Sequence, residues 1–317
     1  MSTNGIWADE PGWLKKKRQL ATVFNDRFPR YNHQERWLPW RLSTCQTTGW
    51  LTIQSHYVAQ PLAKAVKQYS ELLQENLMEK AMRWQENQLF AAHLSHIDAG
   101  QFIYVPDNCQ LSVPVRLSPM GMATNPHNVI IVGTNAQVII EENMRLKSPQ
   151  PMFAATELLL GNGASVTYRR VDSMRAPLIF SAVHAYQARG AHLSTKLAVI
   201  NEGEVTISLA SFLDGDNSAW DAGALLQPGQ YGKQSLYPIV SGHGTASRAH
   251  LTSYVDQSTG GKVTVNDFRT NSDKSLSITN KLITKSVGQP APSEWQSDDP
   301  WFNDYLLHYA SVTNSDH

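Results

Sequence analysis

Cysteine is scarce in this chain of 317 residues, which contains only Cys45 and Cys109. The two form no Cys-x-x-Cys motif and offer no zinc-binding spacing, so we expect a cytoplasmic protein with reduced thiols. The sequence leaves open a single disulfide between them. Cys109 begins a strand-like run, where we expect a buried or half-buried, inert thiol rather than a cluster ligand.

Long apolar runs and excess charge are missing as well. No stretch approaches the roughly 20 apolar residues of a membrane-spanning helix, and the first residues, MSTNGIWADEPG, lack the basic and apolar segments of a signal peptide. Lysine plus arginine and aspartate plus glutamate both number 27, so no net charge attracts nucleic acid or an anionic membrane. The basic run at 15–18 is interpreted as a solvated helix face. We therefore expect neither a membrane span nor a nucleic-acid partner.

Apolar residues in the first part of the chain recur at helical spacing, over 13–28 and again over 62–84. Asp9 and Pro11 can begin the first helix, and Pro29 would end it. The second stretch predicts one long or two consecutive amphipathic helices.

At Gly100 the apolar periodicity changes from helical to strand-like. Short apolar or alternating runs follow, rich in β-branched residues and separated by Gly, Asn and Asp. They cover 102–105, 111–117, 128–132, 137–140, 157–160, 165–168, 196–200 and 204–209. No useful helical pattern intervenes before about residue 290, which argues against βαβ units and a doubly wound nucleotide-binding fold.

The stretch ELLLGNGASVTYRRVD (157–172) contains the glycine-rich turn Gly161-Asn162-Gly163. A phosphate-binding loop would need a following helix or a Lys-Ser/Thr pair, whereas the strand-like SVTY follows, so we interpret the turn as a corner between strands. Similar corners precede a column of small residues, spaced 28 and 27 positions apart. These residues are Ala136, Ala164 and Ala191. The weak repeat predicts a solenoid of stacked β-coils.

Two polar stretches are candidates for chemistry. SGHGTASRAH (241–250) offers His243 and His250, whose odd spacing places them on opposite faces of a strand and disfavours a shared metal ion. LDGDNSAWDAG (213–223) offers three acids without EF-hand spacing: Asp214, Asp216 and Asp221. We assign no catalytic residue and no metal ligand, and the cofactor-binding residues stay undetermined.

Several stretches together resemble the SufB/SufD family of iron–sulfur cluster assembly proteins. Residues 9–29 are similar to that family's N-terminal helix, and 87–117, 127–142 and 157–172 resemble the entry into its core and the next two coils. Residues 212–267 resemble its later core. The matching positions there are Asp221 with Gly223, Thr245 with Ser247, and Gly261-Lys262-Val263.

The resemblance implies a mostly β protein with a right-handed parallel β-helix core behind an N-terminal helical region. It also implies work beside a SufC-like ATPase, as a platform on which sulfur and iron are assembled. We predict three regions: a helical region over 1–99, the β-helix core over 100–285, and a linker with a short C-terminal helix over 286–317.

The sequence departs from the family where the family's chemistry resides. The core cysteine used by SufB in sulfur transfer should fall within 193–205, which contains none, and Val240 stands where a histidine is expected. The family's C-terminal helical region, which docks the ATPase, has only a short counterpart before His317. We therefore expect a shortened, SufD-like, non-catalytic component that associates with SufB-like and SufC-like proteins.

Because thiolate ligands are scarce, we expect this chain to bind no cluster stably outside such a complex. One alternative is a degenerate paralogue whose β-helix pairs with a second copy of itself. The other is a carbohydrate-active β-helix enzyme, which would need clustered acids.

Overall fold

A computed structural model describes residues 7, 9–27, 56–118, 123–272 and 276–311 of the chain. Strands make up 47% of the structure, and its parallel sheets form a β-solenoid of about six turns that follows an N-terminal helix. The predicted mostly β fold with a parallel β-helix core is confirmed. Cys45, Phe28 and Pro29 lie outside the described residues.

Within these residues the helices are α1 (Gly12–Arg27), α2 (Leu62–Gln68), α3 (Ser70–Asn76), α4 (Gln88–His96) and α5 (Pro300–Ser311). The strands are β1 (Val58–Pro61), β2 (Gln101–Val105), β3 (Val115–Leu117), β4 (His127–Val132), β5 (Gln137–Met144), β6 (Met152–Leu160), β7 (Ser165–Asp172), β8 (Arg175–Gln187), β9 (His192–Val199), β10 (Glu202–Leu213), β11 (Ala219–Leu226), β12 (Lys233–Gly242), β13 (Arg248–Asp256), β14 (Lys262–Val265), β15 (Arg269–Ser272) and β16 (Ser277–Lys285). None of the described helices is long and apolar enough to cross a membrane.

The strands form two sheets, and each coil of the solenoid contributes to both. The first sheet has the order β1-β2-β4-β6-β8-β10-β12-β14, with β15 also paired to β12. The second sheet has the order β3-β5-β7-β9-β11-β13-β16. The pairs between successive coils are parallel, whereas β1, which no strand-like run predicted, pairs antiparallel with β2.

The alanine spacing seen in the sequence is the period of the coils. In the second sheet Gln137, Ser165, His192, Ala219 and Arg248 are successive register partners. The residues that precede them therefore stack as a buried column: Ala136, Ala164, Ala191, Ser218 and Ser247. The two serines continue the alanine column, and their hydroxyl oxygens lie 3.0 Å apart.

The turn at Gly161–Gly163 is a corner between β6 and β7, as the sequence predicts. One residue of each corner has a positive φ, and these residues stack from coil to coil: Asn108, Asn135, Gly163, Gly190, Asn217 and Ala246. Glycine and asparagine tolerate this left-handed conformation, so five of the six corners are well matched to their backbone.

The helices over 62–84 end earlier than the spacing of the apolar residues predicts. α3 ends at Asn76, yet Leu77, Ala81 and Trp84 stay buried in the turns that follow. They pack with α1 and α4 on the outer face of the first sheet. The expected solvated face of α1 is wrong for half of its basic run, since Lys15 and Lys16 are exposed but Lys17 and Arg18 are buried. Trp295 and α5 cover part of the outer face of the second sheet. The solenoid core therefore lies between two outer layers.

Candidate functional site

The last coil of the β-helix forms an open end, made of β14, β15 and β16. In the described part of the chain, β14 and β15 pair only with β12, and β16 pairs only with β13. At the opposite end β1 pairs antiparallel with β2 and covers the edge of the first sheet. The open end thus presents unpaired strand edges, which readily accept another strand.

The backbone of β16 shows which groups point away from the sheet. The Ser277 N–H donates to the Ser247 carbonyl oxygen at 3.2 Å, and the Lys285 carbonyl accepts from the Gln257 N–H at 3.0 Å. In a parallel ladder alternate residues direct both backbone groups to the same side. The N–H and C=O groups of Asn280 and Leu282, which lie between these odd-numbered positions, therefore point outward.

Side chains of the solenoid interior are incompletely covered at the open end. Leu282 is 57% exposed, whereas its register partner one coil earlier, Ser253, is fully buried. Ile278 is half-buried, and its partner Ala249 is buried. The other apolar residues of this set, all half-buried, are Val263, Val265, Phe268 and Leu276. A solenoid coil needs a neighbour to cover such side chains.

The exposed charges of the open end are mainly positive. Lys262, Arg269 and Lys281 are exposed, against one exposed acid, Asp267, among the described residues of this coil. Lys285 is buried and lies 3.9 Å from Asp256, so it contributes little to the surface. Complementary charge steers association, so this end favours a partner with acidic groups around its own strand edge.

A groove of about 1170 Å³ adjoins the open end at the corners of the last coils. Its rim includes Gly229, Gly261 and the exposed Tyr231. A Cβ at position 261 would lie 2.5 Å from the Gly229 carbonyl oxygen, so glycine is required there for one corner to stack on the next. We interpret these glycines as packing devices rather than a phosphate cradle.

The three acids of 213–223 lie in separate settings. The Tyr186 hydroxyl donates to Asp214 at 3.0 Å, and Asp216 accepts from the backbone N–H and the hydroxyl of Thr245, both at 2.6 Å. Asp221 lines a cavity of about 380 Å³ under residues 296–298. Within the described residues, Asp214 and Asp221 thus line two different cavities, and the three acids do not share one cleft.

The two histidines of 241–250 also lie apart. His243 lines a cavity of about 430 Å³ together with Asp214. His250 lies on β13, and its ring nitrogens are 2.6 Å from the Thr279 hydroxyl and 3.0 Å from the Thr252 hydroxyl. Across the described ranges, no group of three or more His, Cys, Asp or Glu side chains is arranged to hold a metal ion.

Cys109 is half-buried, and its thiol donates to the His56 carbonyl oxygen at 3.3 Å. The partial burial agrees with the expectation from the sequence, and its inertness stays a prediction.

Sequence reasoning missed β16, because its side chains show neither an alternating nor a wholly apolar pattern.

No protein-family model matches the chain. A similar curated protein is the iron–sulfur cluster assembly protein SufD of Bacillus subtilis (strain 168), which is 26% identical over 167 residues. The match covers 50% of this chain and 38% of the relative, so it spans well under half of the relative's length. It supports the SufB/SufD resemblance of the sequence, with substantial divergence.

Proposed function

We propose that this chain, a divergent member of the SufB/SufD family, contributes to iron–sulfur cluster assembly by binding a SufB-like partner through its open end. A SufC-like ATPase is the further member of the proposed complex. The similarity to SufD supports the process. The unpaired edges of β14, β15 and β16 support an association role.

The observation that carries the proposal is the coincidence of three features at one end of the solenoid. Outward backbone groups of β16 can extend a partner's sheet, half-buried interior side chains can be covered, and the exposed cations can meet acidic groups. Covering the exposed part of a leucine-sized side chain stabilises a complex by about 1 kcal/mol. Several such residues, together with the strand pairing, suit a stable partner of similar fold.

We propose that the chain itself is not catalytic and that any cluster is bound only in the complex. Cys109 is the single cysteine within the described residues, whereas iron–sulfur clusters are usually held by several thiolates. A cytoplasmic location stays a prediction from the sparse cysteine usage.

The test compares variants that differ at an outward N–H group of β16. Asn280→Pro removes this donor without removing a bond to β13, and the matched control Asn280→Ala keeps it. We expect wild type and Asn280→Ala to bind the SufB-like protein of the source organism in titration calorimetry. Asn280→Pro should weaken this binding at least tenfold, and the charged substitution Leu282→Asp should do the same.

Absence of wild-type binding to the SufB-like protein, with or without the SufC-like protein, would contradict the proposal. So would unchanged affinity of Asn280→Pro. Light scattering of the chain alone distinguishes the second candidate, a dimer of identical copies. Self-association is favoured if the wild type is a dimer, Asn280→Pro is a monomer, and the wild type does not bind the SufB-like protein.

A further inference from the structure

A chain of buried polar side chains joins the N-terminal helical layer to the outer face of the first sheet. It runs from Asn125 to His93 on α4, then to His127 on β4 and Glu157 on β6. The three contacts measure 2.6 Å (Asn125 Oδ1 to His93 Nδ1), 2.8 Å (His93 Nε2 to His127 Nδ1) and 2.7 Å (His127 Nε2 to Glu157 Oε1). All four side chains are almost completely buried.

The hydrogen-bond partners fix the direction of this chain. The Asn125 amide nitrogen donates to the His93 carbonyl oxygen at 2.9 Å, so its Oδ1 faces the His93 ring and must accept from Nδ1–H. The neutral His93 ring then has a lone pair on Nε2 and accepts from His127 Nδ1–H. Because the Nδ1 proton of His127 is used in this way, the hydrogen bond between His127 Nε2 and Glu157 Oε1 needs one further proton, which either group can carry.

The same carboxyl group holds the turn that follows α3. Glu157 Oε1 also accepts from the Met78 N–H at 2.8 Å, and Met78 has a φ of +54°. A left-handed methionine is strained, and such strain persists only where surrounding contacts impose it. Lys17 on α1 donates to the Leu77 carbonyl at 2.5 Å, which ties α1 to the same turn.

Other charged and titratable groups surround this contact from each packed element. They are Lys17 and Arg18 on α1, Glu79 in the turn, His96 on α4 with Asp98 beyond it, and His184 on β8. Burial lowers the pKa of Lys17, whose ammonium lies 2.5 Å from Glu79. Arg18 pairs with Glu10 at 2.7 Å. Most of this charge is thus already paired.

Burial acts in opposite directions on the two ends of the shared hydrogen bond. It raises the pKa of Glu157 from 4.5 to about 8 and lowers the pKa of His127 from 6.5 to about 3. Near neutral pH the proton consequently resides on the Glu157 carboxyl, which donates to a neutral His127. Ionised Glu157 would instead be a buried carboxylate facing a lone pair of the imidazole.

We propose that the proton shared by Glu157 and His127 locks residues 77–84, and with them the N-terminal helical layer, onto the β-helix, and that alkaline solution releases this lock. The inference concerns the opening of the helical layer and does not depend on the proposed function.

The opening has a defined pH dependence. Once water reaches both groups, they take their ordinary pKa values, 4.5 and 6.5. Between pH 6.5 and 8 the closed form then holds up to one proton more than the open form, so the opening constant rises with pH. Because one group is half-titrated at each limit of this range, the total rise is about eightfold. Between pH 4.5 and 6.5 the two forms bind equal numbers of protons, and the constant stays flat.

Hydrogen exchange at the Met78 amide, corrected for base catalysis, measures this constant directly. Wild type should lose about eightfold protection from pH 6.5 to 8. Glu157→Gln carries no titrating proton at this contact, so its protection should stay level over this range, whatever its absolute value. Glu71→Gln removes an exposed acid of α3 and should follow wild type.

Equal pH slopes for wild type and Glu157→Gln would overturn the proposal. A second measurement needs no variant: long-range nitrogen correlations at pH 7 should show His93 protonated at Nδ1. A His93 protonated only at Nε2 would break the chain of donors and overturn it as well.

Discussion

The stacked left-handed corners predict opposite effects for the same chemical change in two coils. Gly190 has a φ of +66° and Ala246 a φ of +55°. A Cβ at position 190 would find its nearest neighbour at 3.9 Å, so Gly190→Ala changes the backbone preference and little else. Ala246→Gly makes the reverse change. We expect Gly190→Ala to destabilise the β-helix and Ala246→Gly to stabilise it.

The magnitude follows from two opposing terms. A Cβ in the left-handed region costs about 1–2 kcal/mol, and replacing glycine by alanine recovers about 0.4–1 kcal/mol by restricting the unfolded chain. The net effect on the free energy of unfolding is therefore a loss of about 0.5–1 kcal/mol for Gly190→Ala and a similar gain for Ala246→Gly.

At Gly163 an added Cβ would cause a steric clash in addition to the backbone strain described for Gly190. A Cβ there would lie 2.5 Å from Asn135 Oδ1, so the asparagine must move and weaken its 3.4 Å contact with Asn108. Gly163→Ala should therefore lose more stability than Gly190→Ala, about 1–2 kcal/mol in total.

Equilibrium unfolding in urea, with a shared m-value, ranks the three variants. The expected order of stability is Ala246→Gly, wild type, Gly190→Ala and Gly163→Ala. A neutral or stabilising Gly190→Ala would refute the corner reasoning, as would a destabilising Ala246→Gly.

Two further substitutions probe the core and the C-terminal layer, and a third, Arg116→Met, is the control for the first. Arg170 is fully buried and lies 2.6 Å from Asp172 and 3.7 Å from Glu142, so Arg170→Met should cost about 3–5 kcal/mol by leaving buried carboxylates unpaired. Arg116→Met, at a side chain 75% exposed, should change the free energy of unfolding by less than about 0.5 kcal/mol in the same urea titration. Phe302→Ala should loosen α5 and expose Tyr254 and Trp295, against which Phe302 packs. We expect faster proteolytic cleavage after Trp301, while the urea unfolding transition of the β-helix stays in place. An unchanged cleavage rate would contradict the packing role of α5.

The period of the solenoid could be predicted from the sequence because one buried column requires small residues. Ala136, Ala164 and Ala191 reveal it, and Ser218 and Ser247 escaped notice because they fill the same space with a different residue type. The helical spacing over 62–84 predicted buried positions correctly even where the backbone leaves the helix, since burial follows packing rather than hydrogen bonding.

The open end and the proton chain could not be predicted in the same way. The pairing of β16 is settled by its place at the end of the fold, and an edge strand needs no alternating pattern. His93, His127 and Glu157 come from three elements about 30 residues apart. They form no motif along the sequence, and only the packing of α4 on the first sheet brings them together.

Position 240 contributes apolar packing to the solenoid and no titratable side chain. The SufB/SufD resemblance places a histidine there, yet Val240 is fully buried in the solenoid core. Its register partners are Ser211, also buried, and Thr270 in the last coil. A buried imidazole there would be desolvated and would need hydrogen-bond partners, whereas a buried valine needs none. Position 240 therefore serves packing, while the adjoining coil has unpaired strand edges, and both observations agree with the association that we propose for this end of the β-helix.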